Sequence, residues 1–289
     1  MKKWFVIIVF LLLPFSAASV EAKSPEVYIA IGDSLAAGQT PNREIDAGYA
    51  DLIAQELKRS RQLAFYSKGL AFPGYTTADI LSTVQSEEAK ELLKNATLVT
   101  ISAGANDLLR LVQANPANGS LSYQQIPADF ALNNVRKNIV EIIKEVKKAT
   151  PKAKVYVMGY YFAYPHVHEA QKQGVQQELS TLNSILKTQA ESNGAIYVSV
   201  EEEFASQDKE LIPNPADVHP SMEGYRIMAN AFFAHYNKNL HVRPNELPNP
   251  NPLSFEEIIK SQKETVTSPV SRIEGFENYL SLTTLKPYI

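Results

Sequence analysis

Cysteine is absent from the 289-residue chain. That excludes disulfides, thiolate metal sites and a cysteine nucleophile in one step. An excess of positive charge is absent too: 28 Lys and Arg face 31 Asp and Glu, a formal charge of −3. Without a basic footprint, no nucleic-acid partner is expected. Internal repeats are missing, and the apolar run at residues 4–15 is too short to cross a bilayer comfortably. What is present is 45% hydrophobic and 20% charged residues, a globular composition with length enough for a sizeable core.

The apolar run is an address. Lys2 and Lys3 precede it, and small residues lead on to Val20-Glu21-Ala22. A charged start, an apolar centre and a small-residue end make residues 1–22 a secretory signal peptide. The mature chain is expected to begin near Lys23 and to be secreted, with no stable membrane span after cleavage. No cysteine follows the run, so a lipoprotein anchor is excluded.

From residue 27 strands and helices alternate. Short β-branched and aromatic runs at residues 27–31, 63–66, 98–101, 155–158 and 195–198 predict five strands. Between them lie helical spacings, the longest at residues 130–149 with Val135, Ile139, Ile142, Ile143 and Val146 on one face. Further helices are expected near residues 49–57, 179–186 and 221–236. Strands joined by helices imply right-handed crossovers and a parallel sheet covered on both faces, a three-layer α/β/α domain over residues 23–242. Two irregular stretches, residues 113–127 and the aromatic-rich 160–168, begin at carboxyl ends of strands and are candidate pocket walls or plain loops.

The first strand ends in Gly32-Asp33-Ser34-Leu35. Gly32 tolerates the backbone angles of a sharp turn, so Ser34 is presented at the carboxyl edge of the sheet, where open α/β sheets bind ligands. The same residues also suit an ordinary strand-ending turn. Later segments weigh on the choice. Gly104-Ala105-Asn106-Asp107 repeats the strand-then-glycine plan and carries a side-chain amide, and Asp217-Val218-His219-Pro220 offers a histidine with an acid just before it.

Together with Pro73-Gly74-Tyr75-Thr76, these blocks resemble the GDSL, or SGNH, family of serine esterases and lipases, in the family's order and over roughly residues 27–236. The resemblance implies a flavodoxin-like strand order and a cofactor-independent ester hydrolase. It implies Ser34 as nucleophile, His219 as base and Asp217 as the acid orienting the imidazole. It also implies the backbone N–H groups of Ser34 and Gly74 and the Asn106 amide as oxyanion donors. Asp33 and Asp107 are expected to fix turns. One departure stands out: the family's acid lies three residues before the histidine, where this chain has Ala216. The two-residue offset of Asp217 is expected to bring carboxylate and ring together poorly. His166 and His168 have no third ligand in sight, and no metal site is expected there.

The expected substrate is a small ester, a lipid or an acetylated glycan. A carbohydrate O-deacetylase and a catalytically silent binding protein are the alternative functions. Beyond residue 242 the texture changes: Arg243 to Pro252 is a proline-rich linker, and residues 253–289 form a tail too short for its own core.

Overall fold

A computed structural model of the chain describes residues 24–254, 256–258 and 260. The expected signal peptide and most of the expected tail lie outside the described residues. Among the described residues there are seven strands: β1 (Glu26–Gly32), β2 (Leu63–Ala71), β3 (Leu98–Ser102), β4 (Gln113–Asn115), β5 (Ser120–Ser122), β6 (Lys154–Met158) and β7 (Ile196–Val198). The helices are α1 (Ser34–Ala37), α2 (Tyr49–Arg59), α3 (Thr77–Gln85), α4 (Glu87–Leu93), α5 (Ala105–Leu109), α6 (Gln125–Ala149), α7 (Glu169–Ser192), α8 (Glu201–Ala205), α9 (Asp208–Leu211) and α10 (Met222–Tyr236).

Five strands form one parallel sheet in the order β2-β1-β3-β6-β7, and β4 and β5 form a separate antiparallel hairpin. This is the expected α/β/α architecture. Tyr28, Ile29, Ala30 and Ile31 of β1 are fully buried, as are Leu98, Val99 and Ile101 of β3. Central parallel strands have no solvent face, so they are apolar without alternation. Helices α2 and α10 pack on each other, and α3 and α7 each pack against α6.

The sheet directs its carboxyl ends at one edge. Gly32 sits there at φ +145°, and a Cβ on it would lie 2.1 Å from the Ser102 carbonyl oxygen. Only glycine lets β1 turn so close to β3.

Two expectations are corrected. Residues 113–127 are not loop throughout: they hold the β4–β5 hairpin and the first turn of α6. Pro127 fits that turn because the first N–H groups of a helix have no partner within it, so its missing N–H costs nothing. The proline-rich stretch, expected as a linker, is instead held against the domain. Gln55 Nε2 donates to the Glu246 carbonyl at 2.8 Å, and Asn251 N–H to Asp46 Oδ2 at 3.0 Å. Leu253 and Ile45 exchange backbone hydrogen bonds, each of 2.8 Å. Residues 243–254 therefore lie along the domain. Within the expected tail helix near residues 255–263, Glu256, Glu257 and Ile258 are helical, and Phe255 lies outside the described residues.

Candidate active site

Ser34 opens α1, a helix of four buried residues capped by Asp33, whose Oδ1 accepts from Leu35 N–H at 3.0 Å. The Asp33 carboxylate is itself buried and held by two further donors, Ser102 Oγ at 2.8 Å and Tyr160 OH at 2.6 Å. Burial pushes its pKa up, while those hydrogen bonds, and the nearby His219, pull it down without fully compensating. Asp33 thus fixes the turn that presents Ser34, as expected of it.

His219 arrives from the loop between α9 and α10. Its Nε2 lies 2.7 Å from Ser34 Oγ, although the two are 185 residues apart in sequence. On its other side, Nδ1 lies 2.5 Å from Asp217 Oδ1. A carboxylate only accepts, so Nδ1 carries the proton, and Nε2 of the neutral ring is left to accept from the serine hydroxyl.

The two-residue offset therefore does not part acid from ring, contrary to the expectation. The reason is local. Asp217 Oδ1 also accepts from the backbone N–H of His219 at 2.9 Å, the Asx turn that aspartate forms with the residue two positions on. Curling back in this way, one carboxylate oxygen meets both the backbone N–H and the ring Nδ1 of the same histidine. Its second oxygen accepts from Arg43 Nε at 3.2 Å. Burial acts to raise the Asp217 pKa, but the His219 contacts and Arg43 outweigh it and hold the carboxyl below its ordinary value.

Arg43 was not singled out by sequence. It sits at φ +66° in an exposed turn, and Asn214 Nδ2 fastens the same turn to the histidine loop through the Pro41 carbonyl at 2.8 Å. Tyr161 OH donates to the Val218 carbonyl at 2.8 Å and supports the loop from the other side.

Asn106 lies at the start of α5, after the turn at Gly104. Its Nδ2 donates to the Tyr75 carbonyl at 2.9 Å, which leaves the second amide hydrogen available. Asp107 clamps this turn to the one after β2, accepting from Thr77 N–H at 2.8 Å and Thr77 Oγ1 at 2.7 Å. Ser34, Asn106 and His219 all line one cleft. Gly74 occupies the neighbouring turn at φ +78°, and its carbonyl accepts from Arg110 Nη2 at 2.7 Å.

The cleft has a free space of about 840 Å³ including its open mouth. Its walls are largely apolar: Leu108 and Leu109 from α5, Leu179 and Leu182 from α7, and Phe162 and Val218 from loops. Tyr123 and residues 160–164 also face it, so both irregular stretches contribute wall. His166 Nε2 lies 2.8 Å from the Ile212 carbonyl oxygen. Among the described residues, no group of three His, Asp or Glu side chains is placed to hold a metal ion. No helix among them is long and apolar enough to cross a membrane.

A serine, a histidine and an aspartate in hydrogen-bonded line at the carboxyl edge of such a sheet are the parts of a carboxylic ester hydrolase. The chain belongs to the GDSL-like lipase/acylhydrolase family, whose model matches residues 30–227. It is 24% identical over 214 residues to the spore germination lipase LipC of Bacillus licheniformis, covering 70% of this chain and 92% of that one. It is 23% identical over 228 residues to the uncharacterized protein YpmR of Bacillus subtilis, covering 75% and 84%. Among solved structures, the fold is similar to that of the lipase Lip_vut3 from a goat rumen metagenome, with TM-score 0.59, 20% identity, and 72% and 96% of the two chains covered. It is also similar to Axe2, an acetylxylan esterase from Geobacillus stearothermophilus, with TM-score 0.54, 20% identity, and 74% and 95% covered.

Proposed function

We propose that the protein is a secreted serine esterase of the lipase kind, which takes the apolar acyl arm of an ester into its cleft. In this reading Ser34 Oγ attacks the ester carbonyl while His219 Nε2 takes its proton. Asp217 holds the ring in the required tautomer and steadies the imidazolium. The charge growing on the carbonyl oxygen is met by the Asn106 amide and the backbone N–H groups of Ser34 and Gly74. The imidazolium returns its proton to the leaving alcohol, and water repeats the sequence to free the acid. The observation that carries the reading is the 2.7 Å contact between His219 Nε2 and Ser34 Oγ beside an apolar cleft. Apolar walls favour a fatty acyl chain over the acetyl group of a deacetylase substrate, and a silent binding protein has no need of the relay. Export rests on the leader at residues 1–22, and N-terminal sequencing of the exported protein should begin near Lys23.

The test is a series of p-nitrophenyl esters of growing acyl length, run beside a fluorophosphonate probe. Each buried methylene contributes about 0.8 kcal/mol, so kcat/KM should rise roughly fourfold per added CH2 until the cleft is full. Wild-type protein should be labelled and Ser34→Ala should not. A series that falls from acetate onward would refute the acyl-cleft assignment, and folded wild type that resists labelling would refute the nucleophile.

A further inference from the structure

Three neighbouring strands, β1, β3 and β6, end side by side at the edge of the sheet that carries Ser34. Each supplies one polar side chain to a buried cluster there. Asp33 follows β1 directly, Ser102 closes β3, and Tyr160 stands two residues beyond β6. All three are buried, at 1%, 0% and 4% exposure. The two oxygens of Asp33 are not equally served. Oδ1 accepts from Leu35 N–H at 3.0 Å and from Ser102 Oγ at 2.8 Å. Oδ2 accepts from Tyr160 OH at 2.6 Å, and among the described residues it has no second donor. Ser102 Oγ lies 3.4 Å from the same hydroxyl, but its single proton is given to Oδ1.

Tyr160 is itself held firmly. Asn183, buried on α7, accepts from Tyr160 N–H at 2.9 Å and donates to the Tyr160 carbonyl at 2.8 Å. The other amide hydrogen of Asn183 goes to Glu201 Oε2 on α8 at 2.9 Å. A line of hydrogen bonds thus runs from α8 through Asn183 to the backbone of Tyr160, and from its hydroxyl to the cap of α1. A side chain fixed at both ends can hold its partner in one place.

We propose that Tyr160 is a positioning residue of this hydrolase: its hydroxyl holds the Asp33 carboxylate in the orientation that caps α1, and so directs Ser34 Oγ at His219. This rests on the hydrolase reading above, and it adds a side chain from outside the four blocks that resemble the family. The hold is electrostatic as well as geometric. Deleting the hydroxyl leaves a buried carboxylate oxygen without a donor. It also raises the Asp33 pKa further, because that hydrogen bond favours the ionised form. Of the other groups acting on this carboxylate, His219 favours its charge. Tyr49 of α2, Tyr161, and Tyr225 of α10 stay neutral, since burial pushes their pKa values up.

The experiment measures kcat and KM on soluble p-nitrophenyl butyrate, together with the rate of fluorophosphonate labelling. Tyr160→Phe keeps its ring in the cleft wall, so KM should hold. Its kcat and labelling rate should fall together about ten- to hundredfold, the range of one hydrogen bond to a charged group. Ser102→Ala should fall less, because Oδ1 keeps Leu35 N–H. In an Asp33→Asn background the same Tyr160→Phe change should cost less than about threefold, since the charge it serves is gone. The acid limb of kcat should lie at higher pH in Tyr160→Phe than in wild type, which a merely structural tyrosine would not produce. Unchanged kcat in folded Tyr160→Phe, a loss confined to KM, or equal losses with and without the Asp33 charge would overturn the proposal. Should Tyr160→Phe alone misfold, the double variant, freed of the unpaired charge, should fold and turn over like Asp33→Asn; misfolding of both would overturn it as well. If wild type neither cleaves the ester nor takes the label, the hydrolase reading itself fails, and that is read before any variant.

Discussion

Replacing Asp217 by alanine tests the site most sharply. Three contacts go at once: the 2.5 Å contact to His219 Nδ1, the 2.9 Å bond from His219 N–H and the 3.2 Å bond from Arg43. They are not equal. Arg43 is 73% exposed, and an ion pair with so wet a partner contributes about 0–1 kcal/mol, at most a factor of about five. The contact to Nδ1 decides which ring nitrogen carries the proton, and losing such an orienting acid costs about 10,000-fold in kcat, roughly 5.5 kcal/mol. The two-residue spacing taken alone predicts a shallower loss, on the order of 10- to 1,000-fold against the 10,000-fold of a complete triad. The geometry raises the expectation to the full value. Both Asp217→Ala and Asp217→Asn should fall about 10,000-fold, while Arg43→Gln should fall only a few-fold. The assay is kcat on soluble p-nitrophenyl butyrate across pH, with Ser34→Ala as the floor. Asp217→Ala retaining more than about one hundredth of wild-type kcat would refute the claim that this carboxylate orients the ring. The same group has a stability signature. Its carboxyl pKa is lowered in the fold, so its contribution is complete above the ordinary value of about 3.9 and is lost as pH falls through the folded value. The Tm gap between wild type and Asp217→Ala should therefore be open at neutral pH and close in acid.

Other outcomes follow from the same geometry. Asn106→Ala should lower kcat about 100- to 1,000-fold with little change in KM, as removal of one oxyanion donor does; a raised KM at constant kcat would make Asn106 a ground-state binding residue. Asp33→Asn should slow turnover yet leave Tm at neutral pH unchanged or higher. A buried acid with a raised pKa contributes most below its unfolded pKa and loses that contribution as pH rises through the folded value, so its charge is a burden at neutral pH. A lower Tm for Asp33→Asn would contradict this. A chain ending at residue 242 should lose several degrees in Tm, about 1–2 kcal/mol for a domain of this size, because it forfeits the bonds to Gln55, Ile45 and Asp46. A chain ending at residue 254 keeps those bonds and should melt higher than the shorter one, and identical melting of the two would show that residues 243–254 add nothing.

Ser34, Asn106 and His219 were legible because each stands in a recognisable block, two of them two residues beyond a glycine at the end of a buried strand or just past it. The sheet was legible for a related reason: central parallel strands are short and uniformly apolar. Asp217 was half legible. Its type and vicinity were plain, but its reach depended on an Asx turn that a count of intervening residues does not express. The cleft was hidden because Leu179 and Leu182 fit the inward stripe of an amphipathic helix, and such a stripe does not distinguish packed core from pocket wall. Arg43 was hidden more thoroughly, since its partner is 174 residues away. The start of α6 was missed because Pro127 signals a break except in a helix's first turn, where it is harmless.

The loop that carries Arg43 has anchors from distant parts of the chain. Ile45 is paired with Leu253, Asp46 holds Asn251 across 205 residues, and Pro41 is tied to Asn214. Synthesis runs from the N-terminus, so Ser34 and the first three strands of the sheet exist long before these partners do. A growing chain can assemble much of its hydrophobic interior while its nucleophile still lacks a base, an orienting acid and a settled neighbouring loop. Competence to cleave esters thereby waits until the segments carrying His219, Asp217 and Leu253 have been made, and a chain terminated before them carries the serine without the chemistry.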